Sequence, residues 1–551
     1  MKKFLALILC LAMALSVLTA CGSTASTTTE QSAEEPAAEE AAPAEEAAAE
    51  ETAAAEESAG VVPHKETLVI GTAEDINNLN LQTQKTANNN IILKTTHQTL
   101  VFFNNDPDAE TRFDPGLATD WEFEDDTHII MHLRNDVHFN DEDKTPFTAE
   151  DAKFTLDMAV GPDSKIASVL NGYVSCEVVD DYTIRIEIES YNNEFVASLS
   201  SVPLSIQSKK AWESGMEEPW YIGTGPYKFE SWEEGVCCRV VKVDDYWGND
   251  LPEDDFFCAA VSDAIEFRPY LEASSRVIAL QNGEIDVCID PPMNELQYLE
   301  EDDNITVYEK TGTRLFYFAF NVEKEPWNNQ TLRQAVACAI NRQDVLTVAV
   351  DGKGTLQKTI LNRGLWGFYD DMEGFDYDLD RAKELMAEAG YPDGGIETTL
   401  TYSTSGAYAN IATVIQANLK EIGINVTLNP MEDATLKETC ANGDQELFLW
   451  RWNEDSKVDF VYRDLFYSGE GSNYHHYSDA YADELIDKVA TEKDQDARRA
   501  ASTELQEYLV EACPQVPLYI ANLVIAYNSN LQGQYFYGGG NHNWCHAYIA
   551  E

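Results

Sequence analysis

Residues 22–62 contain eleven Glu, no Lys or Arg and not one aromatic side chain. Such a stretch buries too little apolar surface to offset the entropy of ordering it, and its like charges repel one another. It reads as an extended tether with transient helix in its Ala/Glu runs. Whatever folds in this chain therefore begins near Pro63. Ahead of the tether, Lys2-Lys3 lead into an apolar run from Phe4 to Ala20. That run is short for a stable membrane span and matches an export signal in its basic start and its length. No later segment has 18 consecutive apolar residues. The expected layout is a signal over 1–20, a tether over 21–62 and a large body beyond.

The chain has 551 residues, enough for two to four domains. Lys and Arg number 37 against 97 Asp and Glu, for a formal charge of −60. Only eleven of those acids lie in the tether, so the body is itself strongly acidic. A pI near 4.2 excludes a phosphate-tracking surface, and nucleic acid with it. Acidity on this scale serves solubility and mutual repulsion. Apolar residues make up 44% and aromatics 11%, which suffices for a globular core. After Cys10 and Cys21, nine cysteines remain, scattered and without a CxxC pair. Zinc-ribbon and thioredoxin readings fail on that spacing. An odd number argues against a disulfide framework and leaves room for one pair. Most are expected to be buried as small apolar residues.

Strand and helix patterns alternate through the body. Glu66 to Gly71 reads as a short buried strand. Thr127 to Leu133 and Thr183 to Glu189 alternate apolar and polar, with Ile129, Met131 and Leu133, then Ile184, Ile186 and Ile188, on one face. Half-buried strands of this kind imply an antiparallel or mixed sheet. Leu332, Ala335, Val336, Ala339 and Ile340 share a helix face, and a helix over 380–389 stops at Gly390. A strand over 399–402, a helix over 411–422 and a strand over 424–428 form a βαβ unit, and 497–512 is a further helix closed before Pro514. The fold class is α/β with mixed sheets, in more than one lobe.

Catalytic signatures are missing. There is no GxSxG, HExxH, P-loop or GxGxxG, and no nucleophile is marked with its base. His475-His476 and His542 with His546 are the best metal candidates. Neither pair has a placed third ligand, and zinc needs three or four. The expectation is no enzyme, no metal and no cofactor.

Two resemblances add to this. Leu18-Thr19-Ala20-Cys21-Gly22 resembles the lipobox of bacterial lipoproteins, in which cleavage precedes the Cys and the thiol carries lipid. Cys21 matches that position, which implies an extracytoplasmic protein anchored to the cell membrane. The body resembles the extracytoplasmic solute-binding proteins of peptide ABC importers. Six ordered blocks carry that likeness. They are Asp114–Phe154, Gly223–Tyr227 with Asp245–Gly248, Arg276–Val287, Phe320-Asn321 with Leu332–Arg342, Asp378–Tyr391, and Ile415–Ile424. The resemblance implies a two-lobed periplasmic-binding-protein-like fold that closes on its ligand like a hinged trap. The larger lobe would take 63–310, including an extra subdomain, the second lobe 311–515, and 516–551 would return to the first. Most of the motif residues are expected to hold the scaffold.

The same resemblance implies the site. Peptide binders of the family hold the ligand's amino group with an Asp that follows a Trp-containing strand. Here Leu449-Trp450-Arg451-Trp452-Asn453-Glu454-Asp455 matches, so Asp455 takes the ammonium, beside Trp452, while the backbone at Arg451 and Asn453 pairs with the peptide. The Arg with which dipeptide binders clamp the ligand carboxylate has no counterpart in Ser403–Tyr408. Arg363 is the substitute within reach of sequence reasoning. The implied function is capture of short peptides and their delivery, as a monomer, to a permease and ATPase complex. Nickel, haem or oligosaccharide as ligand, or a peptide sensor without transport, are the alternatives.

Overall fold

The structure, a computed structural model, describes residues 64–83, 86–103, 113–252, 255–362, 365–369, 372–453, 457–536 and 542–551. The signal, Cys21 and the tether lie outside the described residues, as do Arg363 and Asp455.

Two strands are far longer than the others. Ile305–Phe320 has 16 residues and Gln515–Asn528 has 14. Both are dense in β-branched and aromatic side chains, which fit a pleated, half-buried surface. They pair antiparallel from Ile305↔Asn528 to Ala319↔Gln515, with register shifts between Thr311 and Leu315 and between Phe316 and Tyr317. The rest of the main sheet extends from this pair on both sides. Strands Val287–Ile289, Thr67–Thr72, Ala264–Pro269, Cys237–Lys242 and Tyr227–Glu233 follow 515–528 in spatial order. Strands Leu447–Asn453, Ile396–Ser403 and Ile424–Met431 follow 305–320. The eleventh strand, Gly354–Leu356, pairs with 515–528. One mixed sheet thus serves two lobes. In the first, 67–72 is parallel to 264–269 and 287–289. In the second, 396–403 is parallel to 424–431 and 447–453.

The extra subdomain is a separate antiparallel sheet of Ala118–Phe123, His128–Leu133, Thr183–Ile188 and Tyr173–Asp180, in that spatial order. Ile129, Met131, Ile184 and Ile186 are wholly buried there, as the alternation predicts. Helix Ala149–Ala159 covers it, opened by a capping box between Thr148 and Asp151. The predicted βαβ unit is observed as 396–403, helix Tyr408–Lys420 and 424–431. That helix begins before the expected position because buried Tyr408 starts it. The remaining predicted helices are found at Gln330–Ala339, Leu379–Glu388 and Gln495–Ala512. All nine cysteines of the body are free, and eight are buried.

Arg276, Arg333 and Arg342, all from the motif blocks, are buried and serve the scaffold. Arg276 donates to the carbonyls of Ile289 and Asp290 at 2.8 Å each, Arg333 to those of Trp327 and Cys513, and Arg342 to Pro517 and Phe375. Each thereby ties a strand end that would otherwise keep buried carbonyls unpaired. Gly223 and Gly225 are required for close approach. A Cβ at Gly223 would lie 2.0 Å from the Thr96 carbonyl oxygen, and one at Gly225 2.6 Å from that of Thr95.

The subdomain also reaches across to the second lobe. The Asn193 backbone N–H donates to the Ala490 carbonyl at 2.9 Å, and its side-chain amide donates to Ala490 and Glu492 at 3.1 and 2.7 Å. These bonds satisfy the last carbonyls of helix Ala480–Thr491. Glu194 pairs with Arg498, and both side chains are largely buried. Lys457 Nζ donates to Ser198 Oγ at 3.0 Å, and Lys493 pairs with Asp126. Arg498→Ala removes the cation that permits burial of Glu194, and loss of one partner of a buried pair is strongly destabilising. The expected result is undocking of the subdomain from the second lobe, seen as a larger radius of gyration of the ligand-free protein in small-angle scattering. An unchanged radius would show that the docking does not depend on this pair.

Candidate ligand-binding site at the strand crossing

Register alone locates a seam between the lobes. In the second lobe, Asn453, the last residue of its strand, lies opposite Arg314 of the long strand. In the first lobe, Ile289, the last residue of its strand, lies opposite Ile525. Both strand ends therefore run toward the stretch where Thr311 pairs with Asn522 and Leu315 with Ile520. The parallel partners of each strand end on the same side: Thr72 and Pro269 in one lobe, Ser403 and Met431 in the other. Ligands of open α/β sheets bind outside the carboxyl ends of the strands. Here the two sets of carboxyl ends converge on one crossing.

Strand 447–453 has a particular place there. Its long-strand edge is paired at all seven residues. Its other edge is paired with 396–403 only at Leu447 and Phe448. From Leu449 to Asn453 no described strand lies beside that edge, which leaves backbone groups available to an extended ligand.

The side chains of this strand divide by face. Leu447 and Leu449 pack with Phe318 and Phe320 into the second-lobe core. Two residues further on, the same face presents Arg451, directly opposite Phe316. The Arg451 guanidinium donates to the Tyr408 hydroxyl and to Asp433 Oδ2, both at 3.3 Å. Phe316 stacks on Tyr519 at 4.7 Å. Burial works against the charge on Arg451, but Tyr408 and Asp433 outweigh it and raise the guanidinium pKa. Burial would likewise raise Asp433, yet bonds from Ser403 and Arg451 hold its carboxyl below the usual carboxylate range. On the same face, Asn453 is exposed and its Oδ1 accepts from Arg314 Nε at 2.9 Å.

The opposite face carries Trp450 and Trp452. Trp450 is buried with Leu436, Cys440 and Phe448, and Trp452 packs where that cluster meets the one around Tyr462 and Phe466. Trp452 Nε1 is buried without an acceptor. The structure thus brings Arg451, Trp452 and Asn453 to the seam, and adds Arg314, Tyr408 and Asp433, which sequence reasoning passed over. Their signal was the strand register, which a lone sequence does not display.

A two-lobed α/β body whose strand ends meet at a seam spanned by two continuous strands is a solute-binding protein. Residues 112–474 match the family model for bacterial extracellular solute-binding proteins, family 5, middle region, and the chain belongs to that family. Heme-binding protein A of Haemophilus influenzae is 28% identical over 378 residues, covering 63% of this chain and 67% of that protein. The glutathione-binding protein GsiB of Escherichia coli is 26% identical over 443 residues, 77% of this chain and 84% of its own. The structure of the ABC transporter-associated periplasmic binding protein DppA from Helicobacter pylori, in complex with the peptide STSA, is 26% identical. It superposes with a TM-score of 0.74 over 89% of this chain and 99% of that one. No helix among the described residues is long and apolar enough to cross a membrane.

The histidine pairs do not assemble as metal ligands. His475 is buried with Nδ1 at the Leu465 carbonyl and Nε2 at the Gln515 side chain, while His476 Nε2 meets the Cys440 carbonyl at 2.9 Å. His546 Nε2 meets the Phe256 carbonyl, and His542 is buried elsewhere among Phe536 and Trp544. One group of possible ligands does converge, Glu124, Asp125 and His128. There Glu124 pairs with Arg185, and Asp125 is bonded to Thr127 and His128. Burial pushes His475 and His97 down to about 4 and His542 to about 3. An unfolded histidine keeps its pKa near 6.5. Below that pH the unfolded chain binds more protons than the folded one, so stability falls with acid. The melting temperature is expected to hold level above about pH 7 and to fall between pH 6.5 and 5, before most carboxylates titrate. A level profile through that range would contradict neutral burial of these rings.

Proposed function

We propose that the chain is the lipid-anchored binding component of an ABC importer, capturing short peptides extracytoplasmically and delivering them, as a monomer, to the permease and its ATPase. The observation that carries this reading is the unpaired edge of Leu449–Asn453 at the seam. An extended peptide can add there as a strand, drawing on main-chain hydrogen bonds that do not depend on its sequence. The DppA structure, with its bound peptide, and the family of the chain support the same reading. The lobes would divide at the crossing, with 63–310 and 516–551 in one and 311–515 in the other, and would close on the ligand by bending of the two long strands. Asp455, two residues past the end of strand 447–453, would take the peptide ammonium, since a buried ammonium needs a fixed anion nearby. Arg363, in the Leu361–Gly364 loop, remains a candidate contact. Cys21 would carry the lipid, anchoring the protein by its first residue after cleavage.

Calorimetric titration with a panel of di- to hexapeptides tests the ligand. Free peptides should bind and N-acetylated ones should bind poorly. Asp455→Ala should weaken binding by well over tenfold, as truncating one partner of a buried charge pair costs about 2–5 kcal/mol. Equal binding of free and acetylated peptides would remove the Asp455 role, and binding of none would remove peptide as the ligand. For the anchor, Cys21→Ser should release the protein from membranes or leave uncut precursor. Retention unchanged after a detergent-free wash would refute lipidation.

A further inference from the structure

We infer that Arg314 and Arg451 form a seat for a carboxylate of the ligand, so that this protein selects solutes that are anionic at the seam. The inference rests on the proposed binding of solute at the strand crossing and names a chemical class for it.

The register places the two side chains together. Arg314 lies opposite Asn453 and Phe316 opposite Arg451, so all four point to one face of the sheet. Deeper on that face everything is apolar: Phe318, Phe320, Leu447 and Leu449 are buried against the second-lobe helices. The change from apolar to basic comes where helix 408–420 begins, with Tyr408 under Arg451. The basic end is thus the part of this face that emerges at the seam. Helix 408–420 adds the partial positive charge of its N-terminus to the same place.

Charge pairing is the second observation. The chain holds 97 acidic residues against 37 basic ones, so a surface Arg in it finds a carboxylate easily. Arg134, Arg185, Arg239, Arg268, Arg381 and Arg463 all pair with one. Arg314 does not. Half-buried, it donates only Nε, to the amide oxygen of Asn453, and no carboxylate among the described residues pairs with it. That bond fixes the guanidinium plane and leaves both Nη groups for another acceptor. Arg451 has one carboxylate, Asp433, at 3.3 Å, and Asp433 is also bound to Ser403 and Ser405. Two guanidiniums and one carboxylate leave the face positive within a strongly negative protein. Planar guanidiniums match a carboxylate through paired N–H donors. The seat takes up the task that Ser403–Tyr408 lacks an Arg to perform. A cationic ligand would be repelled here, and a neutral sugar would leave the charges unmatched. The carboxylate could be a peptide's C-terminus, an acidic side chain or the acid group of a non-peptide solute.

The test uses the full chain and ligands matched in all but charge. Tri- to pentapeptides are titrated as free acids, as C-terminal amides, and as amides carrying one Asp or Glu, beside a non-peptide dicarboxylate set, haem and neutral oligosaccharides. Free acids should bind at least about tenfold tighter than amides without acidic side chains. Arg451→Gln and Arg314→Gln should shrink that gap, and Arg451→Lys should keep part of it. Restored binding by acidic amides would assign the seat to side chains, and its absence to the C-terminus. Binding only of the dicarboxylates or haem, with the same dependence on both arginines, would keep the seat and overturn peptide as the ligand. Acids and amides binding alike would overturn the seat and keep peptide. Binding only of neutral sugars, or of nothing in the panel, would overturn the seat. The acid-to-amide comparison on the unsubstituted protein holds even if a variant fails to fold.

Discussion

The antiparallel pairing of Ile305–Phe320 with Gln515–Asn528 is the interaction on which the rest of the protein depends. Both lobes draw their sheets from it, one from each flank, so neither lobe has a complete core without it. The pairing holds its register through each lobe and slips between Thr311 and Leu315, between the two strand systems. A register shift bends and twists a strand pair locally. The same irregularity that lets one sheet serve two lobes also sets where the lobes can pivot.

The buried arginines follow from that arrangement. Long strands that leave one lobe and enter another must end against loops, and their terminal carbonyls need donors in the interior. Arg333 and Arg342 provide these around the start of the second long strand, through Cys513 and Pro517. Arg276 does so at the first lobe's strand ends. Each spends its charge on neutral carbonyls, which a solvated cation has no reason to do, and burial lowers the pKa of Arg333 and Arg342 accordingly.

Much of this was legible in the chain. Alternation marked the subdomain strands through Ile129–Leu133 and Ile184–Ile188, and the 3.6-residue spacing marked helix 330–339, because each element buries one face and the pattern is local. The motif blocks were legible as scaffold, and Arg276, Arg333 and Arg342 bear that out. The site was legible only in part. Arg451, Trp452 and Asn453 were named for their position after a Trp-rich strand, but that the Arg451 side chain lies over Tyr408 depends on pairing between residues more than a hundred positions apart along the chain, as does its opposition to Phe316. The Gly223–Gly225 segment read as a tight turn, whereas its glycines answer to the backbone at Thr95–His97, a contact that local sequence does not announce.

The bridge from Asn193 and Glu194 to helices 480–491 and 495–512 bears on affinity. In any protein that binds best in one of two conformations, the observed dissociation constant is the intrinsic one divided by the fraction already in the competent form. Contacts that hold the lobes together before a solute arrives enlarge that fraction, and contacts that weaken it act as a tax on every solute alike. Substitutions at Asn193, Glu194 or Arg498 would then rescale affinity for the whole ligand repertoire by a common factor while leaving the ranking among ligands intact. Breadth of recognition and strength of retention could drift independently in this lineage, because they are written into different parts of the molecule.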